Sequence, residues 1–220
     1  MSRTLVPVCS LVLSAAMLFG QTRAQRRYVS APKNSTASVP AQEVDAALRV
    51  IHSNLGSKTD VYDSNGWFLE GPASNSGGSR IFIGLPFTPK SDAHITQMRA
   101  AIHYLQGDNQ INLSIYSDAD GIPGTLLAGP VTVTNLPNAG TCCTLAVGDI
   151  SPLAVVAGKH YWLVADTPLT GTGSNFEGVW NDVARPVVPI AFEENSLTGA
   201  EWFSDDAYGL VAGAVLGTIP

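Results

Sequence analysis

Charged side chains are scarce in this sequence. Asp, Glu, Lys and Arg make up 14% of its 220 residues, against about a quarter in an average soluble domain. Helices that face water are normally studded with Lys and Glu, so this composition disfavours a helical protein. Glycine and proline are plentiful, at 21 and 14 residues, and supply the turns that a β-rich chain needs. Positive charge is scarcer than negative, giving a formal net charge of −6. Nucleic-acid binding requires a basic face against phosphate, and no run of basic residues offers one.

The usual signatures of catalysis are missing too. A nucleophile elbow reads G-x-S-x-G, and the nearest stretch, "GTGSNFEG" around Ser174, lacks that spacing. His52, His94, His103 and His160 never stand at H-x-H or H-x-x-x-H intervals, so they read as ordinary strand or surface residues. Glu193–Glu194 and Asp205–Asp206 are adjacent pairs. On a strand their members point to opposite faces, which does not make the facing carboxylates of a glycosidase. A hydrolase therefore has no motif in its favour, and no cofactor is expected.

Long apolar runs are confined to the N-terminus. "LVPVCSLVLSAAMLF", Leu5 to Phe19, is 15 residues long, short of the roughly 20 that span a bilayer as a helix. Arg3 precedes it, and Thr22 and Ala24 follow as small residues. Residues 1–24 therefore read as a secretory signal cleaved after Ala24. Arg23, Arg26 and Arg27 place more positive charge after the core than before it, which keeps an uncleaved anchor as the alternative. Cleavage removes two arginines and no acid, leaving a mature charge of −8. The expected product is secreted, extracellular or periplasmic, with no transmembrane span.

Cysteine is nearly absent. Cys9 leaves with the signal, and only the adjacent Cys142 and Cys143 of "GTCCTL" remain. Exported thiols tend to pair. Neighbouring Cα atoms stand about 3.8 Å apart, less than the roughly 4.4–6.8 Å of an ordinary disulfide, so a bridge between them is strained. Two reduced thiols on opposite faces of a strand are the alternative. Zinc binding would need a second pair of ligands.

The rest of the chain is dense in short apolar segments. Residues 25–48 read as a flexible lead-in, and "AQEVDAALRVIHSNL" carries Val44, Ala47, Leu48, Ile51 and Leu55 at helical spacing. A strand stopped by Gly56 is the competing reading of its end. Beyond it, "GWFLEG", "RIFIGLPF", "PVTVTNL", "CTLAV", "HYWLVADT", "FEGVWNDV", "PIAFEE", "AEWF" and "YGLVAGAVLG" are short runs closed by turn residues. Met98, Ala100, Ile102 and Tyr104 alternate with their neighbours, as do Ile111, Leu113 and Ile115. With "GDN" between them, these two segments predict a hairpin. About ten short strands predict an all-β fold over residues 49–217, an antiparallel two-sheet sandwich of jelly-roll-like form. Without alternating strands and helices, a doubly wound enzyme is disfavoured.

Two stretches could bind ligands. "SDADGIPG" resembles part of a calcium loop, with Asp118 and Asp120 before Gly121. The position due a bidentate Glu is held by Leu127, and Tyr116 stands where the first acid belongs. A plain turn between strands is expected, with weak calcium binding as the alternative. Glu177, Asp182 and Glu201 lie near Trp180 and Trp202 in sequence. That combination could make a sugar platform of aromatic faces and acceptors, or two core tryptophans. Trp67 and Trp162, inside apolar runs, read as core.

"LSIYSDADGIPGTLL" and, some 35 residues later, "AGKHYWLVADT" resemble the choice-of-anchor family of exported bacterial β-sandwich domains. "IHSNLGS", "GWFLEGP", "GLPFTP", "AGTCCTL" and "YGLVAGAV" are similar as well, so the likeness covers roughly residues 50–217. The resemblance implies a sandwich in which "SDADGIPG" is an inter-strand turn and "YWLV" a central strand, and it disfavours a helix around Ile51. It is nearly silent on activity. Members usually carry a C-terminal sorting segment, whereas this chain ends at "LGTIP", so a freely secreted form is expected. The leading expectation is a non-catalytic protein of the bacterial surface or extracellular matrix. A carbohydrate-binding protein is the alternative, with an extracellular polysaccharide or surface protein as partner.

Overall fold

The structure, a computed structural model, describes residues 28–30, 48–56, 61–75, 80–141, 143–183, 190–196, 199–205 and 209–220. The signal at 1–24 and most of the lead-in lie outside the described residues. Fifteen strands and no helix occur among those described, and no helix there is long and apolar enough to cross a membrane. The strands are β1 (Tyr28–Ser30), β2 (Arg49–Ser53), β3 (Asn65–Glu70), β4 (Ile81–Phe87), β5 (Ala93–Ala100), β6 (Ile102–Gln106), β7 (Gln110–Ala119) and β8 (Ile122–Thr134). They continue as β9 (Ala146–Val155), β10 (Tyr161–Asp166), β11 (Glu177–Val183), β12 (Ile190–Ser196), β13 (Gly199–Asp205), β14 (Leu210–Val211) and β15 (Gly213–Thr218).

All strand pairings are antiparallel and build two sheets. The larger runs β14-β11-β3-β4-β10-β7-β8, with β1 on β3, β6 on β11 and the β12–β13 hairpin on β4. The smaller runs β2-β15-β5-β9. Ile81, Ile83, Leu85 and Phe87 alternate along β4 into one core, joined by Ile111, Leu113 and Ile115 of β7 and by Leu163 of β10. From the smaller sheet come Ile95, Met98 and Val215. Each such aliphatic side chain contributes about 1.5–3 kcal/mol when fully buried. The sheets approach so closely that a Cβ on Gly213 would stand 2.8 Å from Leu85 Cδ2.

Several sequence expectations change here. The expected hairpin across residues 107–109 does not form: β6 pairs with β11, while β7 pairs with β10 and β8. The alternation read at 98–104 does not set one face outward: Met98 to His103 are all buried, because the chain changes sheets at Ala101, which periodicity cannot reveal. The C-terminal end of the expected helix is strand β2, paired with β15, and Tyr28–Ser30 of the lead-in pairs with β3. "CTLAV" contributes only the start of β9, whose body is "GDISPLAV".

The change of sheet is held by a ring of backbone bonds. Ala101 N donates to Ala212 O (3.0 Å), Ala212 N to Asn181 O (2.7 Å), and Asn181 N to Ala101 O (2.9 Å). Ala101 and Ala212 are each the single residue that joins a strand of one sheet to a strand of the other. Both are fully buried, so their peptide groups need protein partners. Asn54 completes the corner: its Nδ2 donates to Val211 O (2.7 Å) and its Oδ1 accepts from Gly213 N (2.7 Å). Replacing Asn54 by Ala leaves a carbonyl and an amide unpaired, at about 1–3 kcal/mol each. We expect Asn54→Ala to lose about 2 kcal/mol or more in urea unfolding with an unchanged m-value. A loss under about 0.5 kcal/mol, the level of a neutral surface change, would show that the corner holds without it.

Candidate functional site

The "SDADGIPG" stretch is a two-residue hairpin turn. Ala119 pairs with Ile122, and Asp120 (φ 54°) and Gly121 (φ 86°) are both left-handed, as a type I′ turn requires. Asp118 Oδ2 accepts from Gly121 N (3.3 Å), and its Oδ1 accepts from the Trp162 indole N–H (2.7 Å). Both oxygens thus face protein donors, while Asp120 points to solvent. Among the described residues no group of three or more His, Cys, Asp or Glu is placed to hold a metal ion.

The sugar platform expected from Trp180, Trp202, Glu177 and Asp182 is not assembled. Trp180 is fully buried opposite Trp67, and its indole N–H donates to Ala212 O (2.8 Å). Its ring has no face in solvent. Asp182 and Glu177 are also buried. Glu177 lies opposite Glu70 across β11 and β3, accepting from Asn75 N (3.1 Å) and from Gln106 Nε2. Glu70 accepts from Ser74 Oγ. These acids tie the loop after β3 to the sheet. Trp202 stands elsewhere, on the outer face.

A second polar group sits beside the corner. His103 Nδ1 faces Asn181 Oδ1 (2.7 Å), and its Nε2 faces Thr141 O (2.8 Å) and the Tyr62 hydroxyl (3.0 Å). The Asn181 amide is oriented by donation from Nδ2 to Asp63 O (2.9 Å). Burial holds the His103 pKa below its ordinary value, against hydrogen bonds to Thr141, Asn181 and Ala101. Cys143 is disulfide-bonded; Cys142 lies outside the described residues.

A second apolar cluster lies on the outer face of the larger sheet. On β10, Leu163 and Ala165 enter the main core, while Trp162 and Val164 point the other way and form a second, smaller one. Tyr116, Ile122 and Trp202 pack on that pair and remain partly exposed. Register places Trp162 beside Tyr116, Val164 beside Ser114, and Asp166 beside Asn112. The Arg80 guanidinium lies over the Phe82 ring, 4.6 Å from its centroid. Asp166 is pushed up to about 6, chiefly by burial, with the Asn112 hydrogen bond and the Arg80 charge opposing. The Tyr116 phenol is raised by burial and by Asp166, with Arg80 opposing. These shifts set Arg80, Tyr116 and Asp166 within electrostatic reach of one another.

No known protein family matches this chain, and no curated protein does. The outer-face group went unnoticed in the sequence, although "YWLVAD" carried its signal. Apolar residues of both parities mean a strand covered on both faces. Paired with "NLSIYSD", whose even positions are polar or aromatic, it outlines the patch.

Two predictions follow from these contacts. Asp118→Ala should cost about 1–3 kcal/mol because the Trp162 N–H loses its acceptor, whereas Asp120→Asn should stay within about 0.5 kcal/mol. Thermal melts with and without chelator check this: a chelator-induced drop in the native protein, abolished by Asp118→Asn with Asp120→Asn, would establish an ion site instead. Asp166 has a folded pKa above its unfolded one, so its stabilising contribution is full below about pH 3.8 and lost as pH rises through about 6. Asp166→Asn should therefore gain stability relative to the native protein between about pH 4 and 7. A difference that is flat with pH in urea titrations would refute the assignment.

Proposed function

We propose that this is an exported, non-catalytic β-sandwich protein of the bacterial surface or extracellular matrix, acting by binding. The observation that carries the reading is the half-open aromatic cluster on the outer face of the larger sheet. Tyr116 and Trp202 reach the surface there beside Arg80 and Asp166. Sites of this composition, apolar with a few polar groups, are the usual form of a ligand surface. By contrast, Glu70, Glu177 and His103 are buried and bonded to internal groups. Those contacts support structural roles for the acids and the histidine.

Export is supported by the disulfide at Cys143, since disulfides persist in oxidising compartments. The apolar segment at 5–19 and the resemblance to choice-of-anchor domains point the same way. The test is expression of the full chain in a bacterial host, followed by intact-mass analysis of extracellular and cellular fractions. The expected species begins at Gln25, lies outside the cytoplasm and contains a disulfide. Protein that starts at Met1 and stays in the cytoplasm with reduced thiols would overturn the reading.

A further inference from the structure

We propose that the outer face of the larger sheet binds an uncharged polysaccharide on the half-open aromatic patch that carries Tyr116 and Trp202. This rests on the exported binding role above and assigns it a ligand class. The sheet itself curls around this patch. β13 and β8 lie at opposite ends of the series β13-β12-β4-β10-β7-β8, yet they approach each other. Only a curled sheet can bring them together. Register shifts between β7 and β8 at Leu113/Ile115, Ile115/Tyr116 and Tyr116/Asp118 supply local bending.

The floor is built to present aromatic rings. Trp162 and Val164 are 2% and 0% exposed, and Trp202 and Tyr116 pack on them. The bond from Trp162 Nε1 to Asp118 fixes the indole, so this floor is in place before a ligand arrives. Flat aromatic faces, with their negative π-clouds, suit the C–H faces of sugar rings. Hydroxyl groups find partners at the edge, where the Arg80 guanidinium can donate and the Asp166 carboxylate can accept.

A further observation points to a missing partner. Ser114 stands on this face opposite Val164, is 1% exposed, and its Oγ has no hydrogen-bond partner among the described residues. Buried hydroxyls are normally paired, so a hydroxyl ligand or a water carried with it has a bond to complete. Charge narrows the class. Asp118 and Asp166 outnumber Arg80 on this face, and the chain carries −6 overall, so a polyanion is repelled. A neutral polyol is not.

The experiment uses the full secreted chain with cellohexaose, mannohexaose, maltohexaose and chitohexaose as uncharged probes and polygalacturonate as the anionic one. Calorimetry and tryptophan fluorescence report binding. At least one uncharged hexasaccharide should bind with Kd below about 1 mM, and Trp202→Leu and Tyr116→Leu should each weaken it about tenfold, or 1.4 kcal/mol. Trp202→Phe should recover part of the loss, which keeps the test decisive if either leucine variant fails to fold. Asp120→Asn, on the exposed turn, should bind as the native protein does. The proposal is overturned if no uncharged probe binds at about 10 mM, if polygalacturonate binds better, or if Trp202→Phe and Tyr116→Leu both bind as the native protein does. In each case an exported chain leaves the wider reading standing, whereas a cytoplasmic one removes both.

Discussion

The corner at Ala101, Asn181 and Ala212 sets the geometry that the rest of the fold obeys. Strands that leave one sheet for another must abandon their ladder bonds inside the core, where water cannot replace them. Here the two crossing points satisfy each other through Asn181, in a closed ring of three backbone bonds. The Trp180 indole adds a bond to Ala212 O, and Asn54 covers the flanking peptide groups. Alanine at both crossings keeps the backbones close enough for these contacts. Because the ring joins β5, β11 and β15, it fixes how the small sheet lies over the large one.

With one face of the large sheet committed to that core, its other face is free to do something else. β10 shows how: Leu163 faces inward, while Trp162 and Val164 face outward and are buried again under Tyr116, Ile122 and Trp202. A typical antiparallel sheet would present polar residues to water there. This one curls and covers part of its outer surface with aromatic side chains. That second layer is what separates this sheet from one with a plain polar outer face.

Polar side chains divide between the two regions. Around the corner, His103, Asn181 and Tyr62 bond to one another and to backbone carbonyls, and Glu70 and Glu177 hold the loop after β3. On the outer face, Arg80, Asp166 and Tyr116 influence one another's charge while remaining partly exposed. Asp118 belongs to both economies of the turn and the patch, since one oxygen caps the hairpin and the other anchors Trp162.

Composition and short-range pattern determined much of this protein. Sparse charge, abundant Gly and Pro, and period-two segments are local properties, and they led correctly to an all-β sandwich. The Asp120-Gly121 turn was legible for the same reason, because two left-handed residues in succession is a local demand. Partner choice was not local. Nothing in residues 98–115 says that β6 joins β11 rather than β7, or that the chain crosses between sheets at Ala101. Trp180 and Trp202 are only 22 positions apart and look alike in sequence, yet one fills the core and the other caps the outer face. That difference arises from strand pairing and sheet curvature, which depend on contacts between residues far apart in the chain, and only the tertiary structure decides them.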